Sequence, residues 1–374
     1  MHYRYIVYLF EFMLTNILFS LAWGSLFTAL DGKKSCSRFE IYLFSLGLGP
    51  AFTTMFLYYM LLLMPRRSSL FYFSAVCCIH LALLVVFRKS LPLLFEELRG
   101  GIKAFAGAVR SNCTEICFFN EDRHTVRCDY QKLMNIFAFV FITLCVLFLL
   151  YVGFIAIGNP LLGHDISAYG VRGNLYFSNR AITYTQYPFD PATGYVNYSR
   201  HAPSFPLLLT WERITEELFG VNGDVFFRII CIYYFMLIVS AQVHFLSKRN
   251  LVLAFIGILA LVSSTIFFRK VVYFHVDTYR IFFLSVSFIF FVRSIRKGDN
   301  LSLLLFTVFA GFSAFAHSLG LFIALFCILA ILFIMKSGFF ERLGKVAAVT
   351  AGLILIGGTH YVIDTFLGTG WIFR

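Results

Sequence analysis

The residues best suited to chemistry lie in the polar stretch 163–213, GHDISAYGVRGNLYFSNRAITYTQYPFDPATGYVNYSRHAPSFPLLLTWER. Asp165 opens it, just past an apolar run, beside His164 and four residues before Tyr169. On a helix, that Asp–x3–Tyr spacing puts both side chains on one face. A carboxylate at a membrane surface can take the proton of a nucleophilic hydroxyl, the work of a general base. As an ordinary loop residue it is only a solvated charge. Further along, His275, Asp277 and Arg280 fall in the first turns of another apolar run. An acid inside a span is costly and marks a candidate site, yet Arg280, three residues on, equally suits a plain ion pair. Arg269 and Lys270 suit a phosphate or pyrophosphate at the membrane surface, or serve as snorkelling anchors. His317 sits at a turn between two apolar runs, where it could hydrogen-bond a substrate or cap a helix. His201 leads a Pro-punctuated run, HAPSFPL, into a helix.

The elements that must position these residues are membrane helices. Of 374 residues, 60% are hydrophobic, and mean hydropathy is +0.81; soluble domains carry about 45–50%. Apolar runs at 5–30, 41–64, 70–87, 134–157, 225–246, 251–267, 271–292 and 346–363 are each long enough to cross a bilayer. Residues 301–335 form one apolar stretch of 35. A single helix of that length would measure about 52 Å against a core of about 30 Å. It is therefore expected as two short spans, turning near Ala316-His317-Ser318. The fold class is an all-α polytopic membrane protein of about ten transmembrane helices. Residues 1–133 read as an N-terminal membrane segment of about three spans plus a cytoplasmic interfacial loop. Residues 134–374 read as the core, with an outer loop at 158–224.

The net charge of +12 fits basic residues flanking spans. It does not point to nucleic acid, because no polar basic domain exists to bind it. With the 163–213 loop outside, 19 of the 31 Lys and Arg fall on the cytoplasmic side, which supports that orientation. The stretch LPLLFEELRGGIKAFAGAVR (91–110) reads as a broken interfacial helix. The nine Cys show no disulfide framework, and several lie inside apolar runs as small hydrophobes. Cys113, Cys117, His124 and Cys128 invite a zinc reading against ordinary thiols, but their spacing matches no common finger. Asn112-Cys113-Thr114 and Asn197-Tyr198-Ser199 match an N-glycosylation pattern that is common by chance. The N-terminus lacks a convincing cleavage site, so its apolar run is expected to be a retained span.

Taken in order, these stretches resemble the GT-C superfamily of polyprenyl-phosphate-sugar glycosyltransferases. The closest likeness is to the branch holding protein O-mannosyltransferases and lipid A aminoarabinose transferases. The family's acidic motif followed by Tyr corresponds to His164-Asp165-Ile166-Ser167-Ala168-Tyr169, with Ile166 where a second acid is usual. Its Lys/His-Pro-Pro-Leu run corresponds to His201-Ala202-Pro203-Ser204-Phe205-Pro206-Leu207, with Trp211 following. Phe219-Gly220-Val221 with Arg228 resembles its lead into the second span, and Asp277 its later acid. Gly311 fits a Gly-rich span, and His317 stands where relatives carry a Lys. The likeness covers about residues 134–366, a seven-span core.

The resemblance implies transfer of a sugar, with inversion, from a polyprenyl-phosphate-linked donor to a lipid, glycan or protein acceptor. The reaction would run on the extracytoplasmic face of a bacterial inner or plasma membrane. Asp165 would take the acceptor proton. Arg269, Lys270 and Arg280 would hold the lipid phosphate, and Asp277 with His275 would orient acceptor or sugar. His164, Tyr169, His201 and His317 would line the substrate site. No metal site is assigned, although Asp165, His164 and Asp277 are usable ligands for a divalent cation. Two other readings remain at this stage. One is a transporter or flippase for a lipid or small anion, which predicts an internal repeat. The other is a scaffold subunit with an inactive core.

Overall fold

The computed structural model describes residues 2–31, 36–93, 95–97, 99–100, 103, 117–120, 125–128, 130–158, 169–182, 189–190, 195–196, 202–247, 251–264 and 276–366. The chain is an all-α polytopic membrane protein. Lipid offers no partner for backbone N–H and C=O groups, so each apolar run closes its hydrogen bonds within itself as a helix.

Helix α1 (His2–Phe12) passes through a π-helical turn (Met13–Leu18) into α2 (Phe19–Leu30), making one apolar span. Next come α3 (Arg38–Ser45) and α4 (Leu48–Leu63), bent by 49° where they meet. Ser37 starts α3 by accepting the Glu40 N–H, and Ser68 starts α5 (Ser69–Val86) by accepting that of Phe71. The remaining helices are α6 (Tyr130–Gly158), α7 (Val171–Asn179), α8 (Ser204–Phe219), α9 (Val225–Ser247), α10 (Leu251–Ser263), α11 (Val276–Lys297), α12 (Asn300–Ala316) and α13 (Ser318–Ile334). The last is α14 (Phe339–Leu353), which continues through a second π turn (Ile354–Gly358) into α15 (Thr359–Phe366).

Among the described residues, six helices are long and apolar enough to cross a membrane, or seven with the bent α3–α4 pair. Helices α10, α12 and α13 are shorter and apolar. Over its described residues, each apolar run of the sequence forms one or two of these helices. The stretch 301–335 divides at His317, where length required a turn. The last span begins earlier than its apolar run, at Phe339. Glu341 and Lys345 pair at 2.7 Å, four residues apart, so a charged turn stays helical.

Two short hairpins depart from the sequence reading, which placed no strands. They are β1 (Cys117–Asn120) with β2 (Thr125–Cys128), and β3 (Phe189–Asp190) with β4 (Tyr195–Val196). The register of the first sets Cys117 opposite Cys128; Cys113 and His124 lie outside the described residues. Of the interfacial segment, residues 91–93, 95–97 and 99–100 are helical. Glu97 accepts the Phe39 N–H at 3.1 Å, tying that segment to the start of α3.

Bonds between distant segments define two ends of the bundle. At one end Tyr3 donates to the Phe219 carbonyl at 3.3 Å, and the Arg66 N–H to that of Arg180 at 2.8 Å. Arg180 also pairs there with Glu217 at 2.6 Å. At the other end Arg293 pairs with Glu40 at 2.9 Å, and His244 lies 3.2 Å from the same carboxylate. Between them runs an aromatic core. Tyr234 meets Tyr279 at 4.7 Å and Phe282 at 5.5 Å, and Phe283 meets Phe312 at 5.5 Å, in edge-on and tilted contacts. Such pairs contribute about 0.5–1.5 kcal/mol each. They matter here because lipid gives helices no hydrophobic drive to associate. Glycines close the second π turn onto α12: a Cβ on Gly357 would collide with the Gly311 carbonyl.

Candidate functional site

The described part of the 163–213 stretch folds at the Tyr3–Arg180 end. Tyr169 is buried, its ring edge-on to Phe205 at 5.4 Å. Phe205 in turn lies 6.3 Å from Tyr279. Helix α7 then lies directly on α8. Thr210 donates to the Gly173 carbonyl at 3.0 Å, and a Cβ on Gly173 would stand 2.6 Å from the Pro206 carbonyl. Glycine is required there by the close backbone approach.

This packing buries Arg172. Its guanidinium is 5.4 Å from the Tyr176 ring. Burial pushes the Tyr176 phenol up, while Arg172 opposes that shift. From α15, His360 and Tyr361 come within electrostatic reach of Arg172, and Asp364 within reach of Tyr176 and Tyr361. Tyr361 donates to the Ala314 carbonyl at 2.8 Å, which fixes α15 against α12. The π turn immediately before α15 sets the angular position of these three residues; such turns recur at functional sites. A buried cation among hydroxyls, an imidazole and a carboxylate is an arrangement that can hold an anion and orient a polar ligand.

Helix α8 carries a second polar cluster. Both Glu212 oxygens accept from the start of α9, Oε1 from Phe226 N–H at 2.7 Å and Oε2 from Phe227 N–H at 2.9 Å. This satisfies two of the four orphan donors of that helix. Glu216 accepts from the Tyr8 hydroxyl and Gly223 N–H, both at 2.7 Å, from Asp224 N–H at 3.1 Å, and from Arg213 at 2.6 Å. Arg213 also pairs with Asp224. Nearby, the Ser69 hydroxyl and then Arg180 hold the Glu217 carboxyl below its usual range.

The residues expected from the sequence divide into two groups. Asp165, His164, His201, Arg269, Lys270 and His275 lie outside the described residues. Asp277 and Arg280 form an ion pair at 2.5 Å. His317 precedes α13 and accepts the Leu319 N–H on Nδ1 at 3.1 Å, which is the helix-capping arrangement. Tyr169, Asp277 and His317 all fall at helix ends on the Tyr3–Arg180 side of the bundle. Arg172, Tyr176, His360 and Asp364 were not singled out in the sequence. The available signals were a basic residue seven positions after Asp165, a His inside the last apolar run and an Asp just past its end.

Among the described residues, no group of three or more His, Cys, Asp or Glu is placed to hold a metal ion. No family model, no curated protein and no solved structure matches this chain.

Proposed function

We propose that this integral membrane protein is a glycosyltransferase that moves a sugar from a polyprenyl-phosphate carrier to a lipid, glycan or protein acceptor on the extracytoplasmic face of a bacterial plasma membrane. The supporting observation is the buried guanidinium of Arg172, seven residues beyond Asp165, beside Tyr176, His360 and Asp364. Sugar transfer from a phosphate carrier needs a base for the acceptor hydroxyl and positive charge for the departing phosphate. Asp165 is the base in this reading, and a fixed cation in a desolvated site stabilises the charge that grows as the bond breaks. In the same reading Arg269 and Lys270 supply further positive charge for the lipid phosphate. Because Asp277 already binds Arg280, that pair presents one charge-compensated unit, suited to orienting hydroxyls of acceptor or sugar. The order of the acidic, Pro-containing and later Asp motifs supports the same assignment through the GT-C resemblance.

The test compares lipid and protein acceptors by mass in cells lacking the protein and in cells carrying it. Loss of one sugar from one acceptor, restored by the wild-type chain, is expected. Intact glycosylation with failure to translocate a lipid would replace the transferase by a transporter. Purified protein in lipid nanodiscs should then release free polyprenyl phosphate only when donor and acceptor are both present.

A further inference from the structure

We propose that Glu11, Glu212 and Glu216 form a proton-binding site at the junction of α1 and α8, with the proton held on Glu11. The site is separate from the transferase reading and stands if that reading fails. All three side chains are buried, Glu11 and Glu212 completely. Their needs as hydrogen-bond acceptors are met very unequally. Glu212 has two backbone donors, and Glu216 has Tyr8, two backbone N–H groups and Arg213. Both are thus satisfied as carboxylates. Among the described residues, neither oxygen of Glu11 has a hydrogen-bond donor.

The group beside Glu11 that could serve is the Thr215 hydroxyl. That hydroxyl already donates to the Trp211 carbonyl at 3.1 Å. Its oxygen is left with acceptor capacity only, so a bond between the two requires Glu11 to be the donor. A donor carboxyl is a protonated one. Charge leads to the same conclusion. The charged groups facing Glu11 are Glu212 and Glu216 of α8, and Tyr8 lies on its own helix against Glu216. From α9 come backbone N–H groups, which are spent on Glu212. Arg213 is spent on Glu216 and Asp224. An ionised Glu11 would be a third buried negative charge with no cation of its own among the described residues, and carboxylates so crowded do not all ionise.

The deciding measurement is the infrared absorption of the full-length protein in lipid nanodiscs at neutral pH. Ordinary glutamates, with a pKa of about 4.3, are ionised there. A protonated-carboxyl band that shifts in heavy water is expected in the wild type. It should vanish in Glu11→Gln, whose neutral amide fills the same space, and persist in Glu217→Gln. A wild type without the band, or a band that survives Glu11→Gln, overturns the proposal. Should Glu11→Gln fail to assemble, Glu11→Asp takes its place: the band must change frequency, and an unchanged band overturns the proposal.

Discussion

At the scale of single residues, Asp165 and Arg172 carry opposite tasks in the proposed transfer. Asp165→Asn keeps size and most hydrogen bonds but cannot accept a proton at neutral pH. Turnover should fall at least about 10²-fold, with donor binding and expression nearly unchanged. Asp190→Asn, in the same stretch, is the control and should be silent. Full activity in Asp165→Asn with an inactive Asp277→Asn would move the base to α11. Arg172→Lys keeps the positive charge but loses the planar fork that matches a phosphate. A charge-assisted contact contributes about 1.5–3 kcal/mol, so the apparent KM for the donor should rise about 10- to 100-fold. An unchanged KM would make Arg172 a structural clamp between α7 and α15.

Among the elements, the starts and turns of helices give the sharpest tests. His317→Ala removes the cap on α13 and should cost about 1 kcal/mol of stability, read as a lower melting temperature at unchanged turnover. If turnover collapses while stability holds, His317 touches substrate after all. The second π turn offers a geometric test. One alanine inserted between Thr359 and His360, past the π turn, would rotate His360, Tyr361 and Asp364 by about 100° relative to α14. Activity should be lost while α14 still inserts, as checked by labelling of engineered cysteines. The helices themselves were legible because apolar length translates directly into spans, and 301–335 was too long to be one. The π turns were not legible, since one added residue leaves an apolar run looking the same. Helix α8 was legible only as a Pro-led start. Its burial depends on Gly173 of α7 meeting its own Pro206 and Thr210, and no local pattern announces that. The same limit hid the cluster around Arg172, which joins α7 to a helix almost two hundred residues later.

For the whole molecule, sidedness is the property on which the proposed chemistry depends. A reporter inserted at about residue 190 should be extracytoplasmic, and reporters at Lys297 and Gly338 cytoplasmic, as the distribution of basic residues requires. A cytoplasmic signal at residue 190 would put Asp165 and Arg172 on the wrong face for a carrier-linked sugar. The candidate site was only partly legible from sequence because its parts come from segments far apart in the chain. The same property sets a schedule for biosynthesis. Tyr8 finds its partner Glu216 across a separation of 208 residues. At about 5–20 residues per second, a ribosome needs roughly 10–40 s to make that much chain. Throughout that interval the first helix waits in the bilayer with its partner helix not yet made. A Glu11 that already carries its proton can wait in lipid at far lower cost than an ionised one. The proton would then be acquired at birth, before any fold exists, and sealed in when α8 arrives.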